Sequence, residues 1–179
     1  MKRILFFALT LFLLFGCAPE KPSLVVQTYP FNSAGKAVLI QCFDFAPQIA
    51  TNVNQEAVQD FGEAIALDIQ RFLRNAGFRH PLMIAPGEQA LGDILIRGSV
   101  TRVNGGDARQ RKLGEIFGFG ATEVTATGEV IDLATSTSIL AFSFTKQSQY
   151  TWLDNEAAVR ENLREIAQEI ATALTQMQK

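Results

Sequence analysis

Residues 122–148, TEVTATGEVIDLATSTSILAFSFTKQS, decide the architecture. Side chains alternate between the two faces of a strand. In 122–133 this places Val124, Ala126, Gly128 and Val130 together, and in 138–148 Leu140, Phe142 and Phe144. Between them, DLATSTS (132–138) is rich in turn formers, so the two runs read as an antiparallel hairpin. Each strand has one face that must be covered, and the coverage has to come from elsewhere in the chain.

Upstream, DILIRGSVTRV (93–103) has the same period, with Ile94, Ile96, Gly98 and Val100 on one face and Arg97, Ser99 and Thr101 on the other. It reads as a third half-buried strand. AVLIQCFDFA (37–46), bounded by Gly35 and Pro47, is apolar and β-branched throughout and predicts a central strand. PLMIAPG (81–87) predicts a short edge strand between prolines.

Two segments change to a period of three and four. After Asn52 or Asn54, either able to cap, Val58, Phe61, Ile65, Ile69, Phe72, Leu73 and Ala76 form a helical stripe that ends at Gly77. After Asp154 or Asn155, the stripe is Val159, Leu163, Ile166, Ile170, Leu174 and Met177, with Arg160, Glu161, Arg164, Glu165 and Glu169 opposite. The order is β-α-β-β-β-β-α. The expected fold is therefore α+β in two layers, a mainly antiparallel sheet of four to five strands with two helices packed on one face.

The amino-terminal segment is of another kind. Lys2 and Arg3 precede a run from Ile4 to Phe15 whose only polar side chain is Thr10. As a helix this run rises about 18 Å against a hydrocarbon core of about 30 Å, which suits an export signal and not a span. Leu14-Phe15-Gly16-Cys17 resembles the bacterial lipobox, in which the cysteine is lipidated and begins the mature protein. That resemblance implies acyl chains on Cys17; two or more chains hold a protein durably on a membrane. Residues 1–16 then form the signal peptide, 17–35, with Pro19, Pro22 and Pro30, the lipidated cysteine and a tether, and 36–179 a single periplasmic domain.

Composition narrows the function. Without Lys2 and Arg3 the 16 basic residues fall to 14 against 18 acidic ones, a charge of −4, which gives no footprint for nucleic acid. Cys42 is left without an intramolecular partner if Cys17 carries lipid, and in its apolar run it reads as a core thiol, the alternative being an intermolecular disulfide or a reactive thiol. The single histidine, His80, has no second histidine or cysteine pair at metal-ligand spacing, and no serine lies in a GxSxG elbow. No cofactor and no catalytic residue is expected.

Two stretches remain as candidate contact surfaces. In ARQRKLGEIFGFGATEV the spacing GxxxGxG precedes a strand, unlike a phosphate loop, and reads as a hairpin arm with a basic stem, Arg109, Arg111 and Lys112. Its tip, Gly114, Ile116, Phe117, Gly118, Phe119 and Gly120, carries apolar side chains of the sort that meet a partner or a membrane. The second stretch holds Tyr150 and the sole tryptophan, Trp152. Trp152 either lids the start of the last helix or, with Tyr150, joins a membrane or subunit contact.

The stretch from "RGSVTRV" through "GFGATEV" to "GEVIDLATSTSILAFSF" is similar to an uncharacterised family of bacterial lipoprotein domains, domain of unknown function 4410. The element order more distantly resembles the periplasmic fold shared by the TolB amino-terminal domain and the curli secretion and Pel exopolysaccharide lipoproteins. The resemblance implies a binding or assembly module, often oligomeric, and supplies no catalytic residue. The expectation is a non-enzymatic lipoprotein in the periplasmic leaflet of the outer membrane, held through the acyl chains on Cys17. It would bind another envelope protein or a polymer. The alternative is a homo-oligomeric ring or collar in an export system, and the third, small-ligand binding or catalysis.

Overall fold

The computed structural model describes residues 24–27, 32–45, 50–113, 120–148 and 153–178. Cys17, the arm residues Gly114, Ile116, Phe117, Gly118 and Phe119, and Tyr150 and Trp152 lie outside the described residues. The elements run β1 (Leu24–Gln27), β2 (Val38–Gln41), β3 (Asp44–Phe45), β4 (Ala50–Thr51), α1 (Gln55–Asn75) and β5 (Leu82–Ile84). They continue with β6 (Ile94–Asn104), α2 (Ala108–Leu113), β7 (Thr122–Asp132), β8 (Thr137–Ser148) and α3 (Asn155–Gln176).

Among the described residues the strands form one sheet in the order β1-β8-β7-β6-β2-β5, with β3 and β4 also pairing with β6. The β6-β7-β8-β1 half is antiparallel, as the hairpin reading requires. The other half is parallel, since β2 pairs in the same direction with β5 and β6. This follows from α1, because returning beside β2 in the same direction needs a crossover that a helix supplies. The α+β, two-layer expectation holds, with short strands added that local pattern did not reveal.

Two of these additions correct the reading of residues 37–46 as one continuous strand. Cys42 N–H makes the last bond of the β2–β5 ladder, to Ile84 O, and the ladder ends because Phe43 N–H turns instead to Gly62 O on α1. The chain resumes along β6 as β3 and β4. α1 can come this close only at Gly62, where an added Cβ would lie 2.2 Å from Phe43 O. Leu24-Val25-Val26, in the second half of the tether where the chain was expected to pack on the domain surface, forms the outer strand β1 on β8. Cys42, expected in the core, is partly exposed; burial and then the Glu63 carboxylate push its thiol up.

Both long helices follow their stripes. Asn54 Oδ1 accepts from Glu56 N–H at the start of α1, and Asp154 Oδ1 from Ala157 N–H at the start of α3. Gly77, at φ +90°, closes α1. Val58, Phe61, Ile65, Ile69 and Leu73 from α1 and Val159, Leu163, Ile166, Ile170 and Leu174 from α3 share one core with the inward residues of β2, β6, β7 and β8. Each large side chain so removed from water contributes about 1.5–3 kcal/mol. The hairpin closes through Ser136 at φ +54°, and Asp132 accepts from Ala134 N–H and Thr135 Oγ1.

At the sheet's centre two glycines pair directly, Gly98 with Gly128, and Gly128 pairs with Phe142 on its other side. A Cβ on Gly98 would fall 2.6 Å from the Phe43 ring and 2.6 Å from Thr127 O; one on Gly128 would meet Phe142 Cζ at 2.5 Å and Arg97 O at 2.4 Å. The glycines thus make the floor on which Phe43 and Phe142 stack, centroids 6.3 Å apart, and Phe144 extends the stack at 5.7 Å from Phe142. Gly128→Val is expected to lower stability by about 1–3 kcal/mol or more, because the clash includes backbone. Leu91→Ser, at a fully exposed side chain, should leave the urea midpoint unmoved. Equal midpoints for wild type and Gly128→Val would refute the packing described.

Candidate functional site

The two candidate contact stretches enter the fold at one place. Thr122 opens β7 directly after the arm and Ser148 closes β8 directly before Tyr150 and Trp152. These two residues are register partners. Both stretches therefore attach to the same pole, the end at which β6 finishes, β7 begins, β8 finishes and α3 starts. Of the predicted contact residues, the described part of the fold includes Gly120.

Gly120 is held by a knot of backbone contacts. Its φ of +79° suits glycine, and its carbonyl accepts from Asp107 N–H at 3.1 Å. Gly106, at φ +67°, lies so close that a Cβ there would sit 2.2 Å from Gly120 O. Asn104 Oδ1 accepts from Gly106 N–H, and Asn155 Nδ2 donates to Asn52 O at 3.0 Å and Gly106 O at 3.4 Å. The start of α3, the approach to α1 and the arm's base are thereby tied to one another.

The stem of the arm differs from expectation. Residues 108–113, read as one side of a hairpin arm, are the short helix α2. Asp107 Oδ1 accepts from Arg109 N–H at 2.8 Å and Gln110 N–H at 3.2 Å, a local cap that outcompetes strand pairing.

Beneath this pole lies a polar contact that pattern reading passed over. Asn162 is fully buried and its Nδ2 donates to Thr122 Oγ1 at 3.0 Å; Thr122 Oγ1 also hydrogen bonds Ser148 Oγ at 2.8 Å. Asn162 Oδ1 has no hydrogen-bond partner among the described residues. The signal was present as an amide inside an apolar stripe, three residues after Val159 and four before Ile166. The contact locks α3 to the ends of β7 and β8, the two strands that carry the candidate stretches. Thr122→Val removes the acceptor and leaves a buried amide unsatisfied, at a cost of about 1–3 kcal/mol in urea unfolding. A loss no larger than that of the fully exposed Leu91→Ser control would contradict this assignment.

The opposite face of the sheet is uncovered by either long helix. Ser99, Thr125, Thr127, Ser143 and Thr145 stand there in neighbouring register, with Thr125 and Thr145 hydroxyls 3.0 Å apart. Arg97 bridges to Glu129 Oε1 at 2.7 Å. This face holds a shallow depression of about 410 Å3, lined by Gln41, Asp44, Arg97, Ser99, Thr127 and Glu129. A second groove, about 590 Å3, lies between the β1 edge and α3, with Phe144 and Ala173 in its lining beside the Lys146–Glu169 ion pair. These surfaces can pack against another polar or mixed surface, and no group of three His, Cys, Asp or Glu among the described residues could hold a metal ion. His80, at φ +52°, is exposed in the link after α1.

The hydrogen bond from Arg97 holds the Glu129 carboxyl below its ordinary range. Its contribution is present above the unfolded value and is lost as pH falls through the lower folded value. Because the pair is solvent-screened, Glu129→Gln should cost less than about 1 kcal/mol at neutral pH and should flatten the acid limb of the stability profile. An acid limb identical to wild type in a urea-midpoint titration would contradict this.

No protein-family model matches the chain, and no curated protein matches it. Solved structures share its fold. PelC from Paraburkholderia phytofirmans, solved as a dodecamer, superposes with a TM-score of 0.55 at 16% identity, over 84% of this chain and 98% of PelC. Protein XCC0632 from Xanthomonas campestris, of the family DUF330, superposes with a TM-score of 0.55 at 13% identity, over 86% of this chain and 93% of its own. The chain thus has a PelC-like fold. The resemblance to domain of unknown function 4410 finds no counterpart among family models.

Proposed function

We propose that the protein is a lipid-anchored, non-catalytic envelope module that assembles with further copies of itself, in the manner of a ring or collar component of an export system. The observation that carries this reading is the open sheet. Among the described residues it has two dissimilar edges, β1 and β5, with Val25, Val26 and Leu82 exposed there, and a hydroxyl-lined face that neither long helix covers. Dissimilar edges suit a head-to-tail contact, and such contacts close into rings when the rotation permits. The shared fold with PelC, itself solved as a dodecamer, supports the same reading by analogy.

Anchoring is assigned to acyl chains on Cys17 and the location to the periplasmic face of the outer membrane. Ala18 and Pro19 lack the aspartate that commonly retains lipoproteins at the inner membrane. Among the described residues no helix is long and apolar enough to cross a membrane. The partners are the membrane and sibling subunits, with neither nucleic acid nor a cofactor.

A second reading, capture of a different envelope protein or polymer, is favoured by the convergence of both candidate stretches on the pole at Thr122 and Ser148. Crosslinking in intact cells separates the two. Assembly predicts a ladder of self-adducts that fades when Cys17→Ser removes the anchor; capture predicts one adduct of foreign mass that is lost in a Phe117→Ser, Phe119→Ser variant with unaltered melting. A protein that yields neither product refutes both.

A further inference from the structure

The register of β1 and the length of chain ahead of it favour one side of the domain for a lipid on Cys17 to hold against a membrane. β1 is antiparallel to β8, with Gln27 opposite Leu140 and Leu24 opposite Ser143. Read from Gln27 back to Leu24, β1 therefore points along β8 toward Ser148, the pole just described. Pro22 has no N–H for a ladder, in keeping with a strand that begins at Leu24.

From Cys17 to Leu24 there are seven residue steps, a reach of at most about 24 Å at about 3.4 Å each. Along β8, Ser143 to Ser148 spans five steps, about 17 Å. A tether following the direction of β1 thus ends only about 7 Å beyond the pole. To reach the far end, marked by the 132–137 turn, the chain would have to reverse at Leu24 and run back nearly fully extended. The β5 edge lies five strand spacings from β1 in the sheet order, about 24 Å at about 4.8 Å each, and is likewise at the limit of reach.

We infer that the corner of the domain between the β1 edge and the Thr122–Ser148 pole faces the phospholipid head groups, with the Asp132–Thr137 turn and the loop around Glu88 directed away. This rests on the lipid-anchor reading, which supplies the fixed point at Cys17. The corner is not a basic patch. Its described charges are mixed, Asp107 beside Arg109, Glu123 paired with Arg102, and Lys146 paired with Glu169. The apposition comes from covalent reach and not from attraction to anionic lipid, so the preferred orientation should persist at high salt. The groove between β1 and α3, lined by Val25, Phe144, Lys146 and Glu169, lies along the β1 edge of the domain.

The test uses the full lipidated protein in a Cys42→Ala background, reconstituted on phosphatidylcholine vesicles, with one probe cysteine carrying a fluorophore. Gln147→Cys and Arg109→Cys place the probe at the pole, and Thr135→Cys and Glu88→Cys place it on the far side; all four positions are exposed. Spin-labelled head groups should quench the Gln147 and Arg109 probes several-fold more than the other two, at low and high salt alike. Equal quenching at all four positions, or stronger quenching at Thr135 or Glu88, overturns the inference. A parallel set with six histidines in place of residues 12–17, held by nickel-chelating phospholipid, keeps the same tether without natural lipidation. If the mature amino terminus proves unlipidated, the anchor reading fails while the chelated set still decides the orientation by the same comparison.

Discussion

The close approach of Gly98 to Gly128 at the centre of the sheet is the constraint on which the rest depends. Without Cβ atoms at these paired positions, the Phe43 and Phe142 rings can lie on the sheet and stack on each other. Phe43 sits at the point where β2 leaves its ladder and bonds to Gly62 of α1. The rung therefore sets how closely the first helix approaches the sheet. A side chain at either glycine would displace the rings and the helix with them, and would reach the parallel half of the sheet through β2 and β3.

The long helix α3 is fixed by different chemistry. Its apolar stripe supplies most of the burial, but the Asn162–Thr122–Ser148 hydrogen bonds set its position along the strands. A buried amide bond of this kind adds little net stability, yet it penalises any register that separates its partners. It stands directly under the ends of β7 and β8. The pole that carries both candidate contact stretches is thus a place where helix, strands and the Gly106–Gly120 knot are tied together.

Where the sequence pattern was local, the fold was legible. The β7–β8 hairpin follows from period-two alternation over long strands, and α1 and α3 from stripes at three and four with Asn54, Asp154 and Gly77 at their ends. β1 was not legible, since four residues between prolines hold too little pattern and the pairing partner lies more than a hundred residues away. The break between β2 and β3 depends on a backbone bond to Gly62 that only the packed helix supplies. α2 is only six residues long, and its Asp107 cap decides it against the Gly-rich neighbourhood. For the site, convergence of the arm and the Tyr150–Trp152 stretch could be drawn from the hairpin register, whereas the Asn162 contact needed the helix seated on the sheet.

In the proposed function an acyl anchor on Cys17 holds an α+β body whose open edges and hydroxyl-lined face serve assembly. Native mass spectrometry of protein extracted from membranes in mild detergent addresses anchor and assembly together. The account predicts a chain that begins at Cys17 with the mass of its acyl chains added, present as a defined multiple of that mass. An unacylated chain running as a monomer at every concentration would contradict it.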